Sequence, residues 1–151
     1  MQTVRNRIVL AKRETSVGAD SSPVIGTNAI NVANLKVNWQ GDLLERDVMR
    51  GNISPLSPVV GKKWVEVSFD CEVKGGGTKG TSSTIGDLLV ACSMGETVSA
   101  GSSVTYAPTS SGQKTATIYI YDNDSASAVL HKVTGCMGNY TMKLTAGQSG
   151  Q

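Results

Sequence analysis

The sequence predicts a mainly β chain, an antiparallel β-sandwich or barrel-like domain flanked by one short helix. The 151 residues include 17 glycines, 17 serines and 14 threonines, a composition that suits short strands joined by turns and not a helical bundle. Several segments alternate apolar and polar side chains, as half-buried strands do. Only one segment, near residue 90, has helical periodicity.

The first strands are predicted from the N-terminus onward. Residues 7–12 form a short apolar run, followed by a loop rich in glycine, serine, aspartate and proline. Residues 29–39 resemble a strand whose alternation slips at Ala33 and Asn34, which predicts a bulge there. Residues 63–74 alternate cleanly and place Cys71 on the core side of a half-buried strand.

Between these strands, residues 40–63 show no periodicity and mix charges of both signs. A connection of this length is usually functional or partly disordered. The predicted organisation is therefore a basic arm and first strand over residues 1–13, and a single β-sandwich domain over residues 14–151 that contains this long loop.

The helix is predicted at about residues 85–94, after a flexible glycine-rich link. Thr84 and Asp87 fit a capping box, and Gly95 stands where a C-terminal cap belongs. The apolar stripe consists of Ile85, Leu88, Leu89 and Cys92. If this stripe covers the core, Leu88→Ala costs about 2–5 kcal/mol.

After the helix, the segment "VTYAP" is predicted to restart the sheet, and residues 115–146 to form a three-stranded meander. The strand "KTATIYIYD" directs alternate side chains to one face, namely Thr115, Thr117, Tyr119 and Tyr121. This face is either a stacking platform for a sugar or base, or a strand face that is exposed or covered by a neighbouring subunit.

Charge argues against a protein that grips nucleic acid. Residues 1–13 carry four basic side chains and no acidic one, whereas the remainder carries ten basic and twelve acidic side chains. A phosphate-binding protein usually presents a broad basic face. The sequence contains no apolar window of membrane-spanning length and no signal-peptide core, so three reduced cysteines in a cytosolic setting are expected.

No motif predicts a metal site, a cofactor site or an active site. Residues 75–82 resemble a phosphate loop but have Thr81 where lysine is required. Residues 122–124 resemble the start of a calcium loop but lack its later ligands. Cys71 and Cys92 lie on apolar faces, which leaves Cys136 as the one thiol that could react, alone or with His131.

The order of these segments resembles the tail tube proteins of long, flexible-tailed phages. The match runs through "LAKRETSVGAD", "NAINV", "WVEVSFDCEVKGGGTKG", "IGDLLVACSMGETVSAGSSVTYAPTS" and "VTGCMGNYTMKLTAG". The family marks are Glu14-Thr15, Gly18, Asn28-Ala29-Ile30, Gly75 to Gly77, Leu88-Leu89, Gly95, Tyr106, Pro108, Thr109, Gly135 and Gly138. Each mark is weak alone, and their order is what is specific.

The resemblance implies a structural virion protein, without catalysis, metal or cofactor, that assembles into stacked hexameric rings forming a tube. Its partners would be other copies of itself and tail proteins such as the tape measure and the tail terminator. DNA would pass through the lumen without specific binding, and no membrane is involved. The location would be the virion tail, preceded by the host cytoplasm.

By the same analogy, the N-terminal arm and the segment 40–63 would contact neighbouring subunits. The expected contact residues, with the tyrosines of the strand face, are Arg5, Arg7, Leu43, Leu44, Arg46, Met49, Arg50, Tyr119 and Tyr121. Relatives often continue past the final Thr-Ala-Gly with another strand, so the chain is either a short member or the N-terminal part of a longer one. The alternative function is a β-sandwich module that binds carbohydrate or protein, and a cysteine-dependent enzyme is the third.

Overall fold

A computed structural model describes residues 7–46, 48–49, 51, 56–124 and 127–143. The elements, in chain order, are β1 (Arg7–Arg13), α1 (Ile25–Asn28), β2 (Ala29–Ile30), β3 (Val32–Leu44), β4 (Val59–Cys71), α2 (Gly86–Ala91), β5 (Met94–Ser99), β6 (Ser103–Pro108), β7 (Ala116–Asp124) and β8 (Ser127–Cys136). Strands account for 50% and helices for 8%, which confirms the mainly β prediction.

The chain divides into two compact units. The first consists of residues 1–33 and 70–151, and the second of residues 34–69. The boundary lies at Asn34, one of the two residues where a bulge was predicted. Asn34 has a left-handed backbone, with φ 55°. A residue in this conformation breaks the alternation of a strand and redirects it.

The first unit is built on a four-stranded sheet in the order β2-β1-β7-β8. All three neighbouring pairs are antiparallel, with Val9 opposite Ile120 and Ile120 opposite His131. The two central strands supply most of the core, and Val9, Leu10 and Ile120 are almost fully buried. β1 forms from the predicted apolar run 7–12, since a central strand buried on both faces needs no alternation.

β7 is buried on both faces, so the expectation of an exposed Thr115–Thr117–Tyr119 face is wrong. Thr115, Thr117 and Tyr119 are 3%, 0% and 6% exposed. Residues 14–22, which follow β1 and are called the strap here, hydrogen-bond to these side chains and cover them. Tyr121 lies beyond the strap and is half-buried.

The helix prediction is correct in place but wrong in its ends. Among the described residues no side chain caps α2, whose N-cap residue is Ile85. Asp87 instead forms an ion pair with Arg13. The left-handed residue after the helix is Ser93, with φ 64°, and not Gly95, which lies in β5. The chain must reverse directly after the helix because β5 begins at Met94.

The buried side of α2 also differs from the predicted stripe. Ile85 is buried as expected, but Leu88, Leu89 and Cys92 are only half-buried. The buried helical residues are Gly86, Val90 and Ala91. A helix of six residues packed against β1, β5 and β7 has neighbours on more than one side, so a single 3.6-residue stripe does not describe its contacts.

Three further elements differ from the sequence predictions. A second helix, α1, is a single turn without the length that gives a periodic signal. β6 does not rejoin the main sheet but pairs with β5 as a separate hairpin, whose turn uses Gly101 at φ 72°. Residues 138–143 lie outside any strand, and the rest of the predicted third meander strand lies outside the described residues.

The glycine-rich link 75–80 is closely packed at two of its glycines, Gly76 and Gly80. A Cβ at Gly76 would lie 2.4 Å from the Thr81 carbonyl oxygen, and one at Gly80 would lie 2.5 Å from the Gly101 amide nitrogen. Ser83 Oγ also donates to the Lys74 carbonyl at 2.5 Å. The link therefore holds the β5–β6 turn by close backbone approach, which only glycine permits.

The second unit is a two-stranded sheet of β3 and β4, each 13 residues long. Val65, Val67, Phe69 and Cys71 alternate with exposed neighbours, as predicted for this strand. Much of the segment 40–63 is strand and not loop, since β3 runs to Leu44 and β4 begins at Val59. Both faces of the hairpin are exposed at this end of β3, so the sequence there has no apolar periodicity that would predict a strand.

Candidate assembly surface and carboxylate network

The end of the second unit presents a set of large apolar side chains to solvent, called the hairpin surface here. Its members are Trp39, Leu43, Leu44, Val48, Met49, Val59, Val60 and Trp64. Leu43 is 66% exposed and Leu44 is 57% exposed. A two-stranded hairpin is at best marginally stable alone, so these exposed apolar side chains make this end of the hairpin the candidate interaction site.

The predicted contact residues of segment 40–63 fall at this surface. Leu43 and Leu44 end β3, and Arg46 and Met49, which follow it, are both exposed. Gly61 lies against this end of β3, because a Cβ there would be 3.4 Å from the Asp42 Cβ and 3.6 Å from the Leu44 Cδ1. Arg5 and Arg50 lie outside the described residues.

The other predicted contact residues lie in the first unit and are engaged within it. Arg7 is in β1, and its Nε lies 2.6 Å from Asp122 Oδ1. His131 Nε2 approaches the other oxygen of Asp122 at 3.4 Å. Tyr119 is buried under the strap, and its ring meets Tyr121 edge-on with centroids 6.4 Å apart. The described part of the basic arm is thus a central strand of the sheet.

Glu14 is the principal buried charge of the first unit, at 2% exposure. Its Oε1 accepts from Thr117 Oγ1 and from the Gly135 amide, each at 2.8 Å. Its Oε2 accepts from the Gly18 amide at 2.7 Å and from Thr115 Oγ1. Burial alone would raise the pKa of Glu14, but these hydrogen bonds, led by that of Gly135, lower it below its ordinary value.

The two amides that bind Glu14 come from glycines with left-handed backbones. Gly18 has φ 78° and Gly135 has φ 68°. The register of β7 with β8 shifts between Ala116 and Ile118, opposite the end of β8. An irregular ladder leaves backbone donors unpaired, and Glu14 accepts the Gly135 donor. The family marks Glu14, Gly18 and Gly135 are therefore parts of one buried contact.

A second carboxylate anchors the strap at its exposed end. Asp20 accepts from Tyr119 Oη at 2.6 Å and from Lys132 Nζ at 2.5 Å. The Lys132 ammonium also lies 4.9 Å from the centre of the Tyr119 ring. The hydrogen bond from Lys132, with those from Tyr119 and Ser22, lowers the pKa of Asp20 to about 2.

A third polar cluster joins β1 to α2 and to the β5–β6 hairpin. Arg13 Nε lies 3.1 Å from Asp87 Oδ1, and its Nη2 lies 2.6 Å from Glu96 Oε2. Tyr106 Oη donates to Glu96 Oε1 at 2.9 Å. Gly86 completes the contact, because a Cβ there would lie 2.4 Å from Tyr106 Oη. No pattern in the sequence identifies Asp87 or Glu96 as a partner of Arg13, because Arg13 is more than 70 residues away along the chain.

The three cysteines are free and half-buried, and burial raises the pKa of each thiol. The pKa of Cys136 is raised most, to about 11, by burial and by the nearby charge of Glu14. A thiol in this setting is a poor nucleophile, which counts against Cys136 as the reactive thiol. Within the described residues, no group of three or more His, Cys, Asp or Glu side chains could hold a metal ion.

Two functional alternatives lose support from this geometry. The predicted stacking platform would need Thr115, Thr117 and Tyr119 at the surface, and the strap covers them. A cysteine nucleophile would need a lowered thiol pKa, and burial has the opposite effect. Over the part of the chain that the structure describes, no helix has the length and apolar character needed to cross a membrane.

The chain is similar in sequence to a known family of proteins. No curated protein and no solved structure matches the chain. A family model described as phage tail tube protein matches residues 5–151, nearly the whole chain. Its range contains the strap, the Glu14 contact and the hairpin surface. The chain belongs to the phage tail tube protein family, whose members are structural components of the virion tail.

Proposed function

We propose that the chain assembles into hexameric rings that stack into the tail tube and conduct the phage DNA. The hairpin surface carries this proposal, since Leu43, Leu44 and Met49 expose apolar area that a second copy can cover. Burying apolar side chains contributes about 25 cal/mol per Å². In this proposal the hairpin surface forms contacts between rings, and Arg46 and Arg50 of the same segment are further contact residues.

The charge distribution supports passage of DNA without capture. Residues 14–151 carry two more acidic than basic side chains. The two arginines of β1 in the described residues, Arg7 and Arg13, are already paired with Asp122 and with Asp87 and Glu96. A lumen that lets DNA slide must avoid a broad basic face, because phosphate contacts bind DNA tightly.

Assembly would begin in the host cytoplasm and end in the virion, with the tape measure and tail terminator as further partners. The N-terminal arm, including Arg5 and Arg7, and the face bearing Tyr119 and Tyr121 remain candidate contacts between subunits. Tyr119 is covered by the strap in the single chain, so a contact there requires the strap to move.

The test is assembly of a charged double variant, Leu43→Asp with Leu44→Asp. Two carboxylates at a contact would have to be desolvated without partners, so we expect folded subunits that form no tubes in negative-stain electron microscopy. Val98→Asp is the matched control, since Val98 is an exposed valine of the β5–β6 hairpin. Tubes from the double variant equal to those of the parent would contradict the proposal.

A further inference from the structure

The strap is joined to the sheet by hydrogen bonds and by the ion pair of Asp20 with Lys132. Its nine residues, 14–22, are all among those that the structure describes, and none contributes a buried apolar side chain. Val17 is 77% exposed. Residues 15–20 are exposed throughout, and the chain becomes apolar and buried again only at Pro23. The strap's own side chains therefore contribute little hydrophobic stabilisation that opening would remove.

Two carboxylates provide most of the strap's contacts to the sheet. Glu14 binds Thr115, Thr117 and the Gly135 amide, and Asp20 binds Tyr119 and Lys132. Ser21 adds two weaker contacts, from its amide to Thr117 Oγ1 at 3.2 Å and from its hydroxyl to the Lys12 carbonyl at 3.1 Å. Hydrogen bonds to a charged acceptor are about twice as strong as neutral ones.

The opposite face of the same sheet is held independently of the strap. Val9, Ala11, Ile118 and Ile120 form its apolar centre, and α2 packs against β1 and β7. Leu10 lies opposite Tyr119, on the strap side of the sheet, and is almost fully buried as well. Loss of the strap contacts would therefore leave the apolar centre of the opposite face in place.

We propose that the strap is a separately opening cover, held on the sheet by the charges of Glu14 and Asp20, and that neutralising these charges exposes the Thr115–Thr117–Tyr119 face while the sheet stays folded. The titratable groups that face them are the Cys136 thiol near Glu14, and Lys132 and Tyr119 at Asp20. Both carboxyl pKa values are lowered in the folded chain, so the charges persist at neutral pH and are lost only in acid.

Glu14→Gln and Asp20→Asn imitate the neutral carboxyls at pH 7, where the other carboxylates stay charged. A glutamine at position 14 keeps the shape but has one accepting oxygen, so whichever way it turns, either the Gly18 or the Gly135 amide loses its acceptor. Amide hydrogen exchange of the full chain then measures opening residue by residue. Glu72→Gln is the control, since Glu72 forms an exposed ion pair with Lys74.

The expected result is exchange at least about tenfold faster at the Gly18 and Gly135 amides and along the strap in Glu14→Gln. Asp20→Asn should accelerate exchange around Ser22, and neither variant should change the amides of Val9 or Ile120. The proposal fails if strap exchange matches that of the Glu72→Gln control. It also fails if both variants accelerate the strap and the central strands equally, because the strap would then not open separately.

Discussion

A buried carboxylate remains charged only where hydrogen bonds replace the water that it has lost. Glu14 meets this condition through two amides and two hydroxyls, drawn from the strap, β7 and the end of β8. Because these donors come from separate parts of the chain, the contact joins the strap, the strand and the irregular ladder. Removing the acceptor would leave several buried donors unsatisfied.

The carboxylates predict how stability depends on pH. The pKa of Glu14 is lowered by hydrogen bonds against the effect of burial, that of Glu96 by Arg13 against burial, and that of Asp20 by Lys132. A carboxyl whose pKa is lower in the folded chain adds stability above its unfolded pKa and loses it as pH falls. The urea midpoint should therefore decline from about pH 4.5 towards about pH 2.

The matched measurement is the same series on Glu14→Gln, which lacks one of the contributing carboxyls. Its midpoint should start lower at pH 7 and decline less steeply below about pH 4.5. Parallel curves for the two proteins would show that Glu14 has the same pKa in the folded and unfolded chains. That outcome would contradict the assignment of this carboxylate as a charged acceptor.

Substitutions at Gly80 and Gly77 distinguish the cost of backbone strain from the cost of a steric clash. Both have left-handed backbones, with φ 74° and 79°, but only a Cβ at Gly80 would meet backbone atoms, at 2.5 Å and 2.6 Å. Gly77→Ala should cost about 1–2 kcal/mol, from the left-handed conformation. Gly80→Ala should cost about 1–3 kcal/mol more, measured by urea unfolding. Equal losses would show that the Gly80 contact with the β5–β6 turn is not close.

Cys136 gives a chemical test of burial. With its pKa raised to about 11, the thiolate is scarce at pH 8, and alkylation by iodoacetamide should be more than about a hundredfold slower than in the urea-unfolded chain. Mass spectrometry of the labelled peptide measures both rates. Rapid labelling of the folded chain would restore the reactive-cysteine alternative.

At the scale of elements, α2 is a short connection packed between strands. Ile85 precedes its first turn and is 5% exposed, whereas Leu88 is half-buried. Ile85→Ala and Leu88→Ala remove the same number of carbon atoms, which makes them a matched pair. Ile85→Ala should cost about 2–5 kcal/mol and Leu88→Ala clearly less. The reverse order of urea midpoints would support the stripe predicted from periodicity and contradict the packing described for α2.

The strands were predictable where burial imposes a pattern. β1 and β7 lie at the centre of a sheet, and β4 alternates because one side is half-buried. The hairpin end of β3 has exposed residues on both faces, so no pattern marks it. β5 was missed because Gly95 resembled a helix cap, when the actual reversal is at Ser93.

The candidate contact residues came from the family resemblance and not from a pattern in the sequence. Leu43, Leu44 and Met49 were expected at subunit contacts by analogy with tail tube proteins, and they are exposed in the single chain. Glu14 appeared only as a family mark without a role. Its donors come from residues 18, 115, 117 and 135, and no spacing in the sequence relates such distant positions.

At the scale of the whole molecule, we propose that the exposed apolar side chains of the hairpin surface serve assembly, and membership in the tail tube family supports this proposal. A subunit that must add to a growing tube needs contact surfaces that stay uncovered in the single chain, and apolar surface covered on assembly is the usual means. The first unit has its own buried core around β1 and β7, whereas the second unit exposes the hairpin surface. Folding and assembly would thus depend on different sets of residues.

Cryo-electron microscopy of the tube formed by the full chain tests the central claim most directly. Rings of six subunits are expected, with the hairpin surface of each ring covered by the next ring, so that Leu43, Leu44 and Met49 are no longer exposed. A tube in which the β3–β4 hairpin remains in solvent would contradict the assignment of this surface to assembly. A chain that stays monomeric at all concentrations, with intact native sheet structure, would contradict it as well.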